Sequence, residues 1–283
     1  MKILHWNILD GCEDVQRRKR LLSSIKLLNC DVVCLNELNG WHDNNTMKQI
    51  SLLCGYKYNF VLNTSHSGHS VGVMSKLDFE LHQTNQDECS EDRPFWHGLL
   101  HIKIKGSPGL HLFITHLTPT SALKRMRECE EIVKRTDSVS ANNEPLLLLG
   151  DLNTLSPHDS SHYDQNLLVQ SLLSKSNSQS LTEKFLKHQD GKIAIDYDPM
   201  NILLSQGQLK DLSHCYFDGR FMSTVPTKMN YDASHATEMR LDYIMCNQKY
   251  SDSYYKSTII QVLKGDEFQI TSDHLPLMIT FDL

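Results

Sequence analysis

Apolar residues recur along the chain with two periods. Lys2–Ile8 alternates as a half-buried strand does, while residues 14–28 set Leu21, Ile25 and Leu28 on one helical stripe. DVVCLNEL, residues 31–38, is a short β-branched run that predicts a buried strand. A helix is predicted over Asn44–Cys54, stopped by Gly55. The pattern then turns to successive strands: Tyr56–Leu62, Ser70–Ser75, Phe79–Gln83, Phe95–Ile104 and Leu110–His116, with Gly, Pro, Asn or Asp between them. Thr120–Asp137 reads as an amphipathic helix with Ala122, Met126, Cys129 and Val133 on its stripe. PLLLLG, residues 145–150, is a fully apolar strand. Residues 155–190 are polar, with helical pieces such as Tyr163–Leu173, and Pro199–Gln206 reads as another short helix. Residues 213–238 read as a long irregular loop before three closing strands, Arg240–Cys246, Ser257–Leu263 and Leu275–Phe281.

Strands dominate both halves, helices interleave, and no repeat period is present. The class is α/β: a sandwich of mixed sheets rather than a run of βαβ units. The length, 283 residues, suits one large core or two small ones. The Ser-rich piece 171–182 is the one linker candidate. It reads as a surface loop inside a single domain, 1–283, because strands on both sides are needed to complete a core.

Composition narrows the partners. A net charge of -6 supplies no global basic field to draw in nucleic acid, although a cleft can still be locally basic. No stretch reaches the roughly 20 apolar residues of a membrane helix. The opening MKILHWNILDG lacks an apolar signal core, so a cytoplasmic or nuclear monomer is expected. The eight cysteines form no CxxC pair and read as buried reduced thiols. Arg17, Arg18, Lys19 and Arg20 read as a solvated helix face.

The candidate chemistry sits where strands end. Asn7 closes the first strand and Glu37 follows the second. His116 closes LHLFITH, Asp151 and Asn153 follow PLLLL, Asp242 opens a late strand, and Asp273-His274 opens the last. Each has a bland reading: a turn at Asn7 or Asp273, an exposed acid at Glu37, an Asx turn at Asp151 and Asn153, a core histidine at His116. Together they supply carboxylates, amides and histidines. Metal-assisted phosphoester cleavage needs that set: hard oxygen ligands, neutral donors and a proton shuttle.

The ordered set Asn7, Glu37, THL at 115–117, GDLN at 150–153, RLDYI at 240–244 and SDHLP at 272–276 resembles the endonuclease/exonuclease/phosphatase superfamily. GVMSK at 72–76 is similar to that family's internal strand, with Lys76 at its basic position. The resemblance runs from residue 3 to the C-terminus. It implies the deoxyribonuclease-I-like fold: a four-layer α/β sandwich, two facing mixed β-sheets flanked by helices. It also implies hydrolysis of phosphoesters with Mg²⁺ or Mn²⁺. By motif, Glu37 is the principal metal ligand, supported by Asn7, and Asp273 is a further one. Asp151 orients or deprotonates water, Asn153 holds a phosphate oxygen, and His274, oriented by Asp242, contacts the scissile phosphate. His116 matches the deoxyribonuclease, sphingomyelinase and inositol-phosphatase branches rather than typical apurinic endonucleases. Asn36 stands where the family usually has Gln. Strand alternation turns it away from the wall that Glu37 lines. The sequence offers no acidic partner for His116.

Substrate choice falls to loops. Residues 213–239 interleave Tyr216, Phe217, Phe221, Tyr231 and His235 with Arg220 and Lys228, which suits bases and phosphates or an aromatic loop packed on the body. Loop 155–165, with His158, Asp159, His162 and Asp164, reads as a solvated loop, with a second metal as the sharper alternative. The expected partner is a phosphoester substrate, with a nuclease-type phosphodiesterase favoured. The alternative is a phosphatase or phosphodiesterase acting on lipid head groups or small molecules. A catalytically inactive binding module is disfavoured, since every position it would have lost is present.

Overall fold

The computed structural model describes every residue except 43–44, 65–66, 84–93, 107–108, 176–177, 217–219, 230–236 and 283. Phe217, Tyr231, His235 and Cys89 lie outside the described residues.

Two six-stranded mixed sheets face each other. The first contains β1 (Lys2–Asn7), β2 (Val32–Asn36), β3 (Tyr58–Leu62), β4 (Val71–Ser75), β13 (Ile259–Val262) and β14 (Leu277–Thr280), in the order β13-β14-β1-β2-β4-β3. The second contains β5 (Phe79–Gln83), β6 (Leu99–Ile104), β7 (Leu110–His116), β8 (Leu146–Asp151), β11 (Lys210–Asp211) and β12 (Asp242–Cys246), in the order β11-β12-β8-β7-β6-β5. A small hairpin, β9 (Leu186–Gln189) with β10 (Lys192–Ile195), stands apart.

Helices cover the outer faces. α1 (Val15–Leu28) and α2 (Thr46–Cys54) pack Leu21, Ile25, Met47 and Ile50 into the core of the first sheet. α3 (Ala122–Ala141) lays Cys129, Ile132 and Val133 on the second. α4 (Ser160–Gln165), α5 (Leu168–Leu173) and α6 (Ser178–Phe185) build a satellite core with the hairpin. The remaining helices are short: α7 (Asp198–Asn201), α8 (Leu212–Tyr216), α9 (Gln248–Tyr254) and α10 (Asp266–Gln269).

Strand period explains the sequence. Along β8, Leu147 and Leu149 join the core shared with the first sheet, while Leu146 and Leu148 pack under α3. Both faces are buried, so PLLLLG reads as continuous leucine rather than alternation. On β1 the odd residues point between the sheets. Trp6 points outward, its ring 5.6 Å from that of Phe268 on α10.

Several expectations need correcting. Arg17 is not on a solvated face: it is buried, donating to the carbonyls of Ile8, Leu9 and Thr271. Those carbonyls lie in turns beyond the strands, and a guanidinium has enough donors to reach them together. Of the Ser-rich piece, residues 171–173 close α5 and residues 178–182 open α6. Loop 155–165 is neither solvated nor metal-like at Asp159, whose buried carboxylate meets Arg240 at 2.8 Å, with Asp211 2.7 Å away on the same guanidinium. Among the described cysteines none is disulfide-bonded, but Cys215 is exposed and Cys54 half-buried. The irregular loop opens with α8, and Pro199–Gln206 divides into α7 and a π-turn.

Candidate active site

Along β2, β7, β8 and β12 the inner face is apolar until the strand end at the cleft, and there it becomes polar; on β1 polarity starts earlier, at His5. Ile114 gives way to His116, Leu149 to Asp151, Ile244 to Asp242 and Cys34 to Asn36, each two residues along. Register sets them side by side. Asn7 pairs with Asn36 on one sheet, and His116 with Asp151 and Asp151 with Asp242 on the other. Gly150 is required here, because a Cβ would lie 2.1 Å from the Thr115 carbonyl oxygen on the neighbouring strand.

Asn7 ties the two sheets together. Its Nδ2 donates to Glu37 Oε1 at 2.9 Å and to Asp151 Oδ2 at 3.1 Å. Asp151 Oδ2 is also 3.5 Å from His116 Nε2 and 3.6 Å from His274 Nε2. One carboxylate oxygen therefore collects three side chains from both ends and the middle of the chain. Asp151 is the acidic neighbour of His116 that the sequence did not reveal. Its other oxygen accepts from the backbone N–H of Asn153.

Asn36 overturns the expectation set by strand alternation. It faces Asp151, whose backbone N–H donates to Asn36 Oδ1 at 3.0 Å. Glu37 shares that wall because it has left the strand with φ 61°. That positive φ swings the carboxylate back toward Asn7, and Glu37 Oε2 accepts from the Asp10 backbone N–H at 2.9 Å.

Behind His274 runs a buried relay. His274 Nδ1 lies 2.7 Å from Asp242 Oδ2, and His5 Nε2 lies 3.0 Å from Asp242 Oδ1. A carboxylate only accepts, so both rings donate and His274 turns Nε2 toward Asp151. Burial disfavours an imidazolium at His274. The Asp242 charge, with Asp151 beyond it, overrides burial and raises the ring well above the usual histidine value. Burial likewise pushes the Asp242 carboxyl up, but His274 and His5 hold it below the usual range. His116 has no such partner at hydrogen-bond distance: burial lowers it, opposed by Asp151. The His116 ring stacks on His97 at 4.4 Å, and its buried Nδ1 meets no hydrogen-bond partner among the described residues.

The last motif is fastened to the first strand. Trp6 Nε1 donates to the His274 carbonyl at 2.9 Å, and Ser272 Oγ to the Asn7 carbonyl at 2.7 Å. Asp273, buried, accepts from Ser272 Oγ at 3.3 Å. Asn153, at φ 48°, donates from Nδ2 to the Leu117 carbonyl. Of the expected substrate cations, Arg220 is exposed, and Lys228 pairs with Asp266 at the surface at 2.8 Å.

Among the described residues two groups bring donor atoms within 4.8 Å of one another: Asp10, Glu37 and His69, and Asp151, Asp242 and His274. Asp242 in the second group already spends both oxygens on histidines. The first is rich in oxygen and open to solvent. Burial, and after it the Glu37 charge, raises the Asp10 carboxyl above its ordinary value. Carboxylates crowded at an open cleft fit a divalent cation. His5, Asp10 and His69 were not among the residues singled out from the sequence, and Asn36 was expected to face away. His5 carried a signal, since it lies two residues before Asn7 on the same strand face.

Polar ends of two facing sheets, with a carboxylate–histidine relay between them, define a hydrolytic cleft. The family model for the Endonuclease/Exonuclease/phosphatase family matches residues 4–274, and the chain belongs to that family. At that level its activity is hydrolysis of phosphoester bonds. Among curated proteins no sequence matches the chain. Similar solved structures share the fold. An AP endonuclease from Archaeoglobus fulgidus is 16% identical, with TM-score 0.66 and 100% of both chains covered. The 3'-5' exonuclease NExo from Neisseria meningitidis is 16% identical, with TM-score 0.65 and 100% of both covered. ANGEL2, a 2',3'-cyclic phosphatase, is 15% identical, with TM-score 0.64, covering 99% of this chain and 94% of its own.

Proposed function

We propose that residues 1–283 act as a single-domain, monomeric phosphodiesterase of nuclease type, cleaving P–O bonds by attack of water with Mg²⁺ or Mn²⁺ as cofactor. The observation that carries this reading is the convergence of Asn7, His116 and His274 on one oxygen of Asp151. Glu37, with Asn7 behind it and Asp273 as a further ligand, would hold the ion. When bound, such an ion withdraws charge from the phosphate and stabilises the oxyanion that leaves.

The chain's own groups divide the remaining work. Asp151 accepts the proton of the attacking water. Its backbone N–H, held by the Asn36 side-chain oxygen, and the Asn7 donor fix its direction. His274, held charged by Asp242, donates from Nε2 to the phosphate. Asn153, with its one mapped side-chain bond on Leu117, has a second N–H for a non-bridging oxygen. His116, neutral, steadies the far side of the phosphate. Lys228 and Arg220 add charge for a polyanionic chain at the rim. The neighbours named for nucleases and for a cyclic phosphatase fit phosphoester chemistry on this fold.

The test is a panel assay with Mg²⁺ and with Mn²⁺ on single- and double-stranded DNA, RNA, sphingomyelin, phosphoinositides and bis-nitrophenyl phosphate. Metal-dependent cleavage of a nucleic acid is expected. Glu37→Gln should lose it and recover in part at high Mn²⁺. Full activity in EDTA overturns the metal-dependent reading, and turnover of lipid or small phosphoesters alone overturns the nuclease reading.

A further inference from the structure

Glu37 has two neighbours that the reading above leaves idle. Asp10 follows β1 on a turn where Leu9, Asp10 and Cys12 all have positive φ, at 55°, 48° and 49°. The turn lifts its carboxylate to the mouth of the cleft, and Asn39 Nδ2 donates to its Oδ1 at 3.1 Å. His69 comes from the opposite side, just before β4. Its side chain is 35% exposed and that of Asp10 64%, so both reach solvent.

The histidine's own hydrogen bond shows what it is prepared for. His69 Nδ1 lies 2.8 Å from the Ser67 carbonyl oxygen. A carbonyl only accepts, so Nδ1 carries a proton. In a neutral ring the lone pair is then on Nε2. Nε2 lies 3.6 Å from Asp10 Oδ1, an acceptor when ionised. Lone pair against carboxylate is repulsive unless positive charge lies between them or on the ring. Anchoring one ring nitrogen on a backbone carbonyl while presenting the other is also how metal-ligating histidines are oriented. This carbonyl lies outside the acidic group, so the anchor is independent of the carboxylates.

We infer that Asp10 and His69 complete the metal centre around Glu37, making a mixed oxygen and nitrogen donor set that selects a first-row transition ion over Mg²⁺. The inference rests on the reading that Glu37 holds a divalent ion and adds which ion it prefers. Mg²⁺ dehydrates reluctantly and takes oxygen donors. An imidazole nitrogen contributes more to a transition ion, beginning with Mn²⁺ and rising along the series.

The experiment uses the full chain stripped of metal, Mn²⁺ counted by electron paramagnetic resonance, and Mg²⁺ as competitor. Wild type should bind Mn²⁺ at least ~10-fold more tightly than Mg²⁺, and pulsed spectra of the bound ion should carry a ¹⁴N coupling. His69→Gln and His69→Ala should each lose that coupling and weaken Mn²⁺ by about 10-fold or more, with Mg²⁺ held within about 2-fold. Asp10→Asn should weaken both ions. Because the site is half exposed, Tm of the variants should stay at the wild-type value. Unchanged Mn²⁺ affinity and coupling in both His69 variants overturns the inference. Equal losses for the two ions also overturn it. Glu37→Gln separates the two claims. If it removes Mn²⁺ while the His69 variants do not, only this inference fails. If it binds Mn²⁺ as wild type does, the reading of Glu37 itself fails.

Discussion

Asp242→Asn probes the relay through stability as well as turnover. Asp242 is fully buried and accepts from two buried rings, His274 at 2.7 Å and His5 at 3.0 Å. Asparagine keeps the shape, loses the charge and turns one acceptor into a donor. Breaking a buried charged pair costs about 3–5 kcal/mol, a large share of the ~5–15 kcal/mol that holds a domain together. The expected drop in Tm is on the order of 10 °C. The pH dependence has a definite sign. Because the His274 pKa is raised on folding, its stabilisation is complete below the unfolded value of ~6.5 and fades as pH rises through the folded one. In the variant, burial acts on that ring with no Asp242 charge against it. The variant therefore loses stability as pH falls below ~6.5. The gap between the proteins should be wider near pH ~5.5 than near ~8.5. The depressed Asp242 contributes fully above its unfolded value of ~3.9 and fades only as pH falls through its folded one, below this window. The assay is thermal or urea unfolding at both pH values. A variant within ~1 kcal/mol of wild type, or a gap that stays flat with pH, would refute the argument.

His274→Ala should lower turnover of a natural phosphodiester by at least ~100-fold. His116→Ala should cost less, and an activated ester with a good leaving group should narrow both losses; near-wild-type rates for both on the natural ester would make the two histidines structural. Gly150→Ala forces a Cβ to 2.1 Å from a backbone oxygen in the ladder, so it should cost about 1–3 kcal/mol and reduce kcat; unfolding curves and kinetics check both. Arg240→Met leaves the buried Asp159 and Asp211 without their shared guanidinium, and a loss of about 3–5 kcal/mol in urea unfolding is expected.

Elements with a strong period were legible in the chain. Leu110–His116 and Phe79–Gln83 form as read, and PLLLLG becomes β8 one residue out of phase. Residues 186–195 were not, because half of Leu186–Gln189 and Lys192–Ile195 is exposed and the two strands carry little apolar alternation. The site residues were legible as polar types at strand ends. Their partners were not, since a bond such as His5 to Asp242 spans 237 positions and no local pattern records it. Asn36 was misplaced for a different reason. The alternation rule holds only while φ stays in the strand region, and nothing in NEL announces that Glu37 abandons it.

The distance between the sheets sets the geometry of the candidate site. Asn7 and Asn36 belong to one sheet, with Glu37 just past the end of β2, and Asp151, His116 and Asp242 to the other. The bonds that join them, Asn7 to Asp151, Asn36 to the Asp151 amide and His5 to Asp242, cross the gap. Below each lies packed leucine, isoleucine or cysteine whose volume sets the separation. Cores packed at this density transmit a missing methylene as a shift rather than absorb it. The same columns of side chains that exclude water deeper in the sandwich thus fix how far Glu37 stands from Asp151. Their polar ends are buried, and half-satisfied polar groups in such a place are costly. That cost disfavours any spacing other than the one that satisfies them, so fold stability and site geometry select the same arrangement.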